Sequence, residues 1–242
     1  MCCMRGGASW LRTCARIVAA IAMLLMGREM SQYSASPVMA DGPSANVAVF
    51  ATGLDGPRGL TFGPDGSLYV AEAGRGGTTS TVGRCDQVPD PVGPYTNGMT
   101  ARISKTDTSG NRTTVVDGLP SGISPLPTGD TLGAEDVAFM GDTLYALLGG
   151  GGCSHGVPDV PNSIIKVNAD GTWTPLGDLG AFQKANPVAH PQPLDFEPDG
   201  TWYSMTVVDG NFYAIEPNHG ELDKITPDGQ ISRAVAKSGS GK

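Results

Sequence analysis

Apolar and polar residues alternate along most of the chain in short runs, and each run ends in a turn rich in Gly or Asp. A period of two predicts strands with one face buried, and an Asp-Gly type turn between two such runs predicts a hairpin. GPRGLTFGPDGSLYVAEAG, from Gly56 to Gly74, reads as strand, turn, strand. GAEDVAFMGDTLYALLGG, from Gly133 to Gly150, and TWYSMTVVDGNFYAIEPN, from Thr201 to Asn218, repeat it, with Tyr69, Tyr145 and Tyr213 at one place. A second hairpin follows each: ARISKTDTSGNRTTVV from Ala101, SIIKVNADGTWTPL from Ser163 and ELDKITPDGQISRAV from Glu221. Lys105, Lys166 and Lys224 coincide, and Ser109-Gly110, Asp170-Gly171 and Asp228-Gly229 supply the turns. Two hairpins make a four-stranded antiparallel unit, and repetition of such units predicts an all-β chain of the β-propeller type.

Three units are legible, over about 47–119, 133–179 and 194–235. Propellers usually carry four to eight blades, so three leave an unpaired apolar face at each end. The expectation is therefore an incomplete propeller, either one part of a longer one or one that self-associates to complete the ring. Composition agrees with the β reading. The chain has 242 residues with 35 Gly and 19 Pro and only 17% charged residues, which suits many turns and excludes a coiled coil or helical bundle. A net charge of −8 argues against nucleic acid as a partner, because affinity there comes from Lys and Arg on phosphates.

The first forty residues break the pattern. Arg5, Arg12 and Arg16 precede the apolar run Ile17–Met26, and Val38-Met39-Ala40 offers a small-residue cleavage site, the layout of a secretory signal. The run is too short to span a bilayer. Residues 1–40 are expected to be a leader and 41–242 the propeller domain, secreted or periplasmic. Loss of the leader takes away Cys2, Cys3 and Cys14 and leaves Cys85 and Cys153, an even pair that in an exported chain suggests one disulfide.

GPRGLTFGPDGSLYVAEAG resembles the opening blade of NHL-type six-bladed propellers. Together with EDVAFMGDTLYAL, NSIIKVNADGTW and PDGTWYSMTVVDGNFYAIEPNHGELDKITPDGQI it resembles, more closely, the secreted ScyD/ScyE family, over residues 47–235. The resemblance implies a six-bladed propeller and export. It carries over no catalytic residue.

Candidate chemistry sits at equivalent places in the repeat. Arg58, Glu135 and Tyr203 share the start of the innermost strand, and Glu72 and Glu216 lie just past the second strand. In propeller hydrolases resembling gluconolactonase, a divalent cation sits at the tunnel mouth on Glu, Asp and Asn, polarising a carbonyl and activating water. By that analogy Glu135, Asp136, Glu216, Asn218 and Glu72 are candidate ligands of a cation such as Ca²⁺. The competing reading is that acidic residues at strand ends serve turns. His219, beside Glu216 and Asn218, is the candidate catalytic base. No histidine pair has metal-ligand spacing, and GGGG at 149–152 lacks the helix a phosphate cradle needs. Long insertions at 74–99 and 149–162 occupy the same place in adjacent units, and Cys85 and Cys153 fall one in each. A bond between them would pin neighbouring blades into one rigid face. The expected function is an exported module that binds a small molecule or extracellular ligand on that face. The alternative is a metal-dependent lactone or ester hydrolase, with a lyase resembling the streptogramin enzyme third.

Overall fold

A computed structural model describes residues 46–191 and 193–236. The leader expected over 1–40 lies outside the described residues. Three separate antiparallel sheets follow one another along the chain, each a meander in which consecutive strands pair. The first contains β1 (Pro57–Phe62), β2 (Leu68–Glu72), β3 (Thr96–Thr106), β4 (Arg112–Ile123) and the two-residue β5 (Thr131–Leu132). The second contains β6 (Ala134–Met140), β7 (Thr143–Leu148), β8 (Ser163–Val167) and β9 (Trp173–Pro175). The third contains β10 (Ser204–Val208), β11 (Asn211–Glu216), β12 (Glu221–Ile225) and β13 (Ile231–Ala236). The fold is an all-β propeller with three blades described.

The repeat read from the sequence is a repeat in register. Tyr69 pairs with Lys105, Tyr145 with Lys166 and Tyr213 with Lys224 across the second and third strands of each blade. In the first blade the Lys105 ammonium lies 5.6 Å from the centre of the Tyr69 ring. Each outer turn ends in a glycine with positive φ, Gly110, Gly171 and Gly229. That conformation burdens any residue with a Cβ.

Boundaries differ from those expected in two places. The first sheet reaches Leu132 because β4 continues past Leu119 and pairs with β5. After the second sheet the chain turns into one short helix, α1 (Leu179–Ala185), which the alternation did not announce. The Asp178 side chain accepts the Ala181 N–H and so caps it, while Leu179 is buried against the second and third blades.

Two apolar layers hold the blades together. Ala71, Ala101, Ile103, Val116 and Leu119 of the first pack on Val137, Leu144, Ala146 and Leu148 of the second. Tyr145, Leu147 and Ile164 of the second pack on Trp202, Met205, Phe212 and Ala214 of the third. The innermost strands are also joined by a polar staple. Asp136 Oδ2 on β6 accepts the Met205 N–H at 2.8 Å and the Ser204 hydroxyl at 3.0 Å on β10. On the other side β1 approaches so closely that a Cβ on Gly59 would lie 2.0 Å from Asp136 Oδ1. Glycine is therefore required at 59 by proximity alone.

Candidate functional site

The site is built from irregularities at the starts of the innermost strands. Ala134 pairs with Leu148 and Asp136 with Leu147, so Glu135 is the extra residue of a bulge. The register of β1 slips in the same way between Pro57 and Leu60, beside Arg58. A bulge re-aims a side chain that regular pleating would send elsewhere. Here it brings Arg58 Nε to 3.5 Å from Glu135 Oε2. Glu135 Oε1 also accepts the Gly133 N–H at 2.6 Å. Of the residues expected at equivalent positions, Arg58 and Glu135 therefore lie side by side across two blades. Tyr203, which precedes β10, feels the charges of Glu197, Asp130 and Glu135, and burial together with those charges raises its phenol pKa.

Glu135 is buried, and burial lifts its pKa to about 7 against the attraction of Arg58 and the Gly133 hydrogen bond. A carboxyl whose folded pKa lies above its ordinary 4.5 is protonated more readily in the fold than in the unfolded chain. Its contribution to stability is full below the ordinary value and is lost as pH rises through the folded value. Glu135→Gln keeps an acceptor for Gly133 and cannot ionise. It is expected to be more stable than the parent by on the order of 1–3 kcal/mol at pH 8, with the gain fading towards pH 4.5. Urea titrations at the two pH values check this, and an equal difference at both would refute it.

The other residues expected to bind metal are held apart by work of their own. Glu72 is buried between Arg102 Nη2 at 2.7 Å and Arg112 Nη1 at 3.2 Å, and accepts the Asp55 N–H at 2.6 Å. Glu216 accepts the Thr201 N–H at 3.1 Å and the His219 N–H. Both glutamates thus tie down the backbone that leads into an innermost strand. Asp136 is the staple between β6 and β10 already described. Asn218 sits beside Glu216, its Nδ2 without a hydrogen-bond partner. Among the described residues no group of three or more His, Cys, Asp or Glu side chains is placed to hold a metal ion.

His219 is buried, with Nδ1 3.1 Å from Glu216 Oε2 and its ring edge-on to Phe196 at 5.2 Å. The spacing did not point to His155, the more strongly held histidine. Cys153–His155 form a single 3-10 turn, and the His155 ring is fully enclosed. Its Nε2 lies 2.7 Å from Glu197 Oε2, its Nδ1 2.6 Å from the Gly151 carbonyl, and Tyr95 stands edge-on at 5.1 Å. Burial opposes charge on this imidazole, but the Glu197 carboxylate outweighs it and the pKa is raised. Beside it, Asp199 Oδ2 accepts the Ser154 N–H and hydroxyl at 2.6 and 2.7 Å, and Lys184 pairs with Oδ1.

The two insertions meet as expected. Cys85 and Cys153 form a disulfide with Cα atoms 6.3 Å apart. Asn97 Nδ2 donates to the Gly150 and His155 carbonyls at 3.0 and 2.8 Å, and the Thr81 hydroxyl bonds the Cys153 carbonyl. The second insertion is bound in turn to the third blade through Glu197 and Asp199. All three blades are tied together on this side.

Next to that layer lies a pocket of about 230 Å³. Pro187, Val188, Pro191, Phe196 and Pro198 give it apolar walls, and Gln183, Lys184, Glu197 and His219 give it polar ends. Gln183 is only 4% exposed, and neither Oε1 nor Nε2 has a hydrogen-bond partner.

No known family and no curated protein matches the chain. Solved structures similar to it include a streptogramin B lyase, with TM-score 0.41 and 16% identity over 80% of this chain and 44% of that one. A catalytically inactive virginiamycin B lyase from Staphylococcus aureus, solved with quinupristin, gives 0.38 and 15% over 76% and 42%. The PQQ-bound aldose sugar dehydrogenase of Streptomyces coelicolor gives 0.25 and 12% over 79% and 84%. The chain spans less than half the length of the two lyases. The fold rests on the three meanders themselves, and any reading of function rests on this chain's own residues. Among the described residues no helix is long and apolar enough to cross a membrane.

Proposed function

We propose that the chain is an exported ligand-binding module that takes a small, largely apolar molecule in the pocket beside the disulfide-pinned loops. The observation that carries this is the unpartnered Gln183 carboxamide. A buried amide without a partner costs roughly 1–3 kcal/mol, and such exceptions mark places where a further molecule completes the hydrogen bonding. The carboxamide offers one donor and one acceptor side by side. It selects a group with the reverse pair, an amide, lactam or carboxylic acid, on a ring small enough for the proline-lined walls. Apolar walls with a few placed polar groups are the usual make-up of such sites. Glu197 at one end is fixed by His155, and so by the insertion that carries Cys153. The disulfide supports the exported setting, since such bonds persist in oxidising compartments.

Benzamide serves as the probe, followed by calorimetry and ligand-observed NMR. The parent protein is expected to bind it, and Gln183→Leu to bind it at least about tenfold more weakly. The same variant should melt no lower than the parent and by several degrees higher if the full penalty is relieved, because no hydrogen bond within the protein is lost and an unpartnered buried amide is removed. Absence of benzamide binding to the parent, or equal binding by both proteins, would overturn the reading.

A further inference from the structure

We propose that the pocket beside Gln183 is one half of a longer site, whose ligand carries, beyond the ring and the amide that Gln183 selects, a neutral carbonyl that accepts a hydrogen bond from Asn218. This rests on the reading of the Gln183 pocket given above and extends it.

A second cavity, of about 260 Å³, adjoins the first. Pro191 and His219 line both, so a group that leaves the first cavity on that side enters the second. Pro193 and Pro217 continue its walls, and Asn218 and His190 are its other polar side chains.

The sequence builds one side of this cavity as a turn. Pro217-Asn218-His219-Gly220 joins β11 to β12, which pair at Glu216 and Glu221. The Gly220 N–H donates to the Pro217 carbonyl at 3.2 Å, and Gly220 takes the positive φ that leads into β12. Glu216 is fully buried and accepts the His219 N–H, bracing the turn from within. Asn218 therefore stands on a fixed backbone. Its Nδ2 is buried and has no hydrogen-bond partner among the described residues. A donor shut away from water in this state is left with its desolvation penalty until an acceptor reaches it.

The surroundings decide what that acceptor is. Proline has no N–H, so the walls at Pro191, Pro193 and Pro217 offer a ligand oxygen no backbone donor, and the donors come from side chains. The Asn218 carboxamide keeps its protons at every pH, unlike the imidazoles of His190 and His219. A carboxylate is disfavoured as the acceptor. Glu216 lies within the turn and Glu197 lines the first cavity. Asp195 feels both, and burial together with their charges raises its pKa. A further anion in this neighbourhood meets the same repulsion. The carbonyl of an amide, ester or ketone satisfies Asn218 without it. The ligand class is thus a cyclic or aromatic amide with a second, uncharged carbonyl on the far side of its ring.

Four probes test this by calorimetry: benzamide, p-acetamidobenzamide, p-isobutylbenzamide and p-carbamoylbenzoate. The isobutyl group has the shape of the acetamido group without its oxygen, and the carboxylate has the oxygen with a charge. The parent is expected to bind p-acetamidobenzamide about tenfold more tightly than benzamide, and more tightly than either of the other two. In Asn218→Leu the ratio between p-acetamidobenzamide and benzamide should fall to about one. Benzamide bound by the parent with no gain from the acetamido group would overturn the second half of the site and leave the Gln183 pocket standing. So would a gain that survives in Asn218→Leu, an equal gain from the isobutyl group, or tighter binding of the carboxylate. A parent that binds none of the four overturns both readings.

Discussion

Trp202→Ala is expected to lower the unfolding free energy by about 3–5 kcal/mol, enough to unfold much of a marginally stable domain at 37 °C. Trp202 heads the fully buried side chains by volume among the described residues, and it lies in the layer between the second and third blades with Tyr145, Leu147, Phe212 and Ala214. It has a second role. Its indole N–H donates to Asp223 Oδ2 at 3.0 Å, and Asp223 is itself buried. Burial lifts the Asp223 pKa to about 6, with the indole hydrogen bond holding it down. Trp202→Phe separates the two roles. It keeps most of the ring and removes the donor, at a cost of about 1–3 kcal/mol. The sign of its pH dependence follows from the carboxyl. The folded pKa lies above the ordinary value, so the contribution of Asp223 is full at low pH and is lost as pH rises through the folded value. Without the indole that value climbs further, and the penalty of Trp202→Phe is larger at pH 8 than at pH 5. Denaturant titrations of both variants at both pH values test this. An equal penalty at the two would show that the indole does not support the Asp223 charge.

Trp202 also shows where sequence reasoning succeeds. The strand that follows it, β10, was legible because its alternation, with Tyr213 and the Asp209-Gly210 turn, matched two earlier segments, and alternation is what a sheet with packed faces imposes on a sequence. Tyr69, Tyr145 and Tyr213 could be superimposed because each stands opposite a lysine in the same register. Arg58 and Glu135 could be aligned for the same reason, since each stands three residues before the residue opposite its blade's tyrosine. What the repeat could not reveal is what the loops bring together. His155 and Glu197 are joined at 2.7 Å across a sequence separation of 42, and neither lies in a strand. Gln183 stands on a helix too short for its periodicity to register, and its lack of partners is a property of the packed structure alone. Asp136 and Glu72 read as ligands because carboxylates at strand ends suit metals. Asp136 is occupied by the Val137 and Met205 amides and the Ser204 hydroxyl, and Glu72 by the Asp55 amide and two arginines, partners that suit carboxylates equally well. Local spacing does not distinguish the two uses.

The disulfide was the one long-range contact that counting could find, and breaking it is the second large effect expected. Cys85→Ser with Cys153→Ser, or reduction of the parent, should cost about 2–4 kcal/mol, because the bond closes a long loop in the unfolded chain with a sequence separation of 68. The loss should be unevenly distributed. The strands on either side have their own ladders and apolar layers, whereas the insertions are otherwise held to each other by contacts such as the Asn97 and Thr81 hydrogen bonds and the edge-on Tyr95–His155 pair. Hydrogen exchange after reduction is therefore expected to rise in 79–97 and 150–160 first, with β2, β7 and β11 still protected. His155 sits two residues from Cys153 and anchors Glu197 at the end of the Gln183 pocket. Loosening the second insertion should thus weaken benzamide binding even where the sheets stay folded. Mass spectrometry of the unreduced protein checks the pairing, and exchange together with calorimetry checks its consequences. Free thiols on both cysteines, or exchange that rises evenly over all three blades, would show that the bond does not hold the loop face in place.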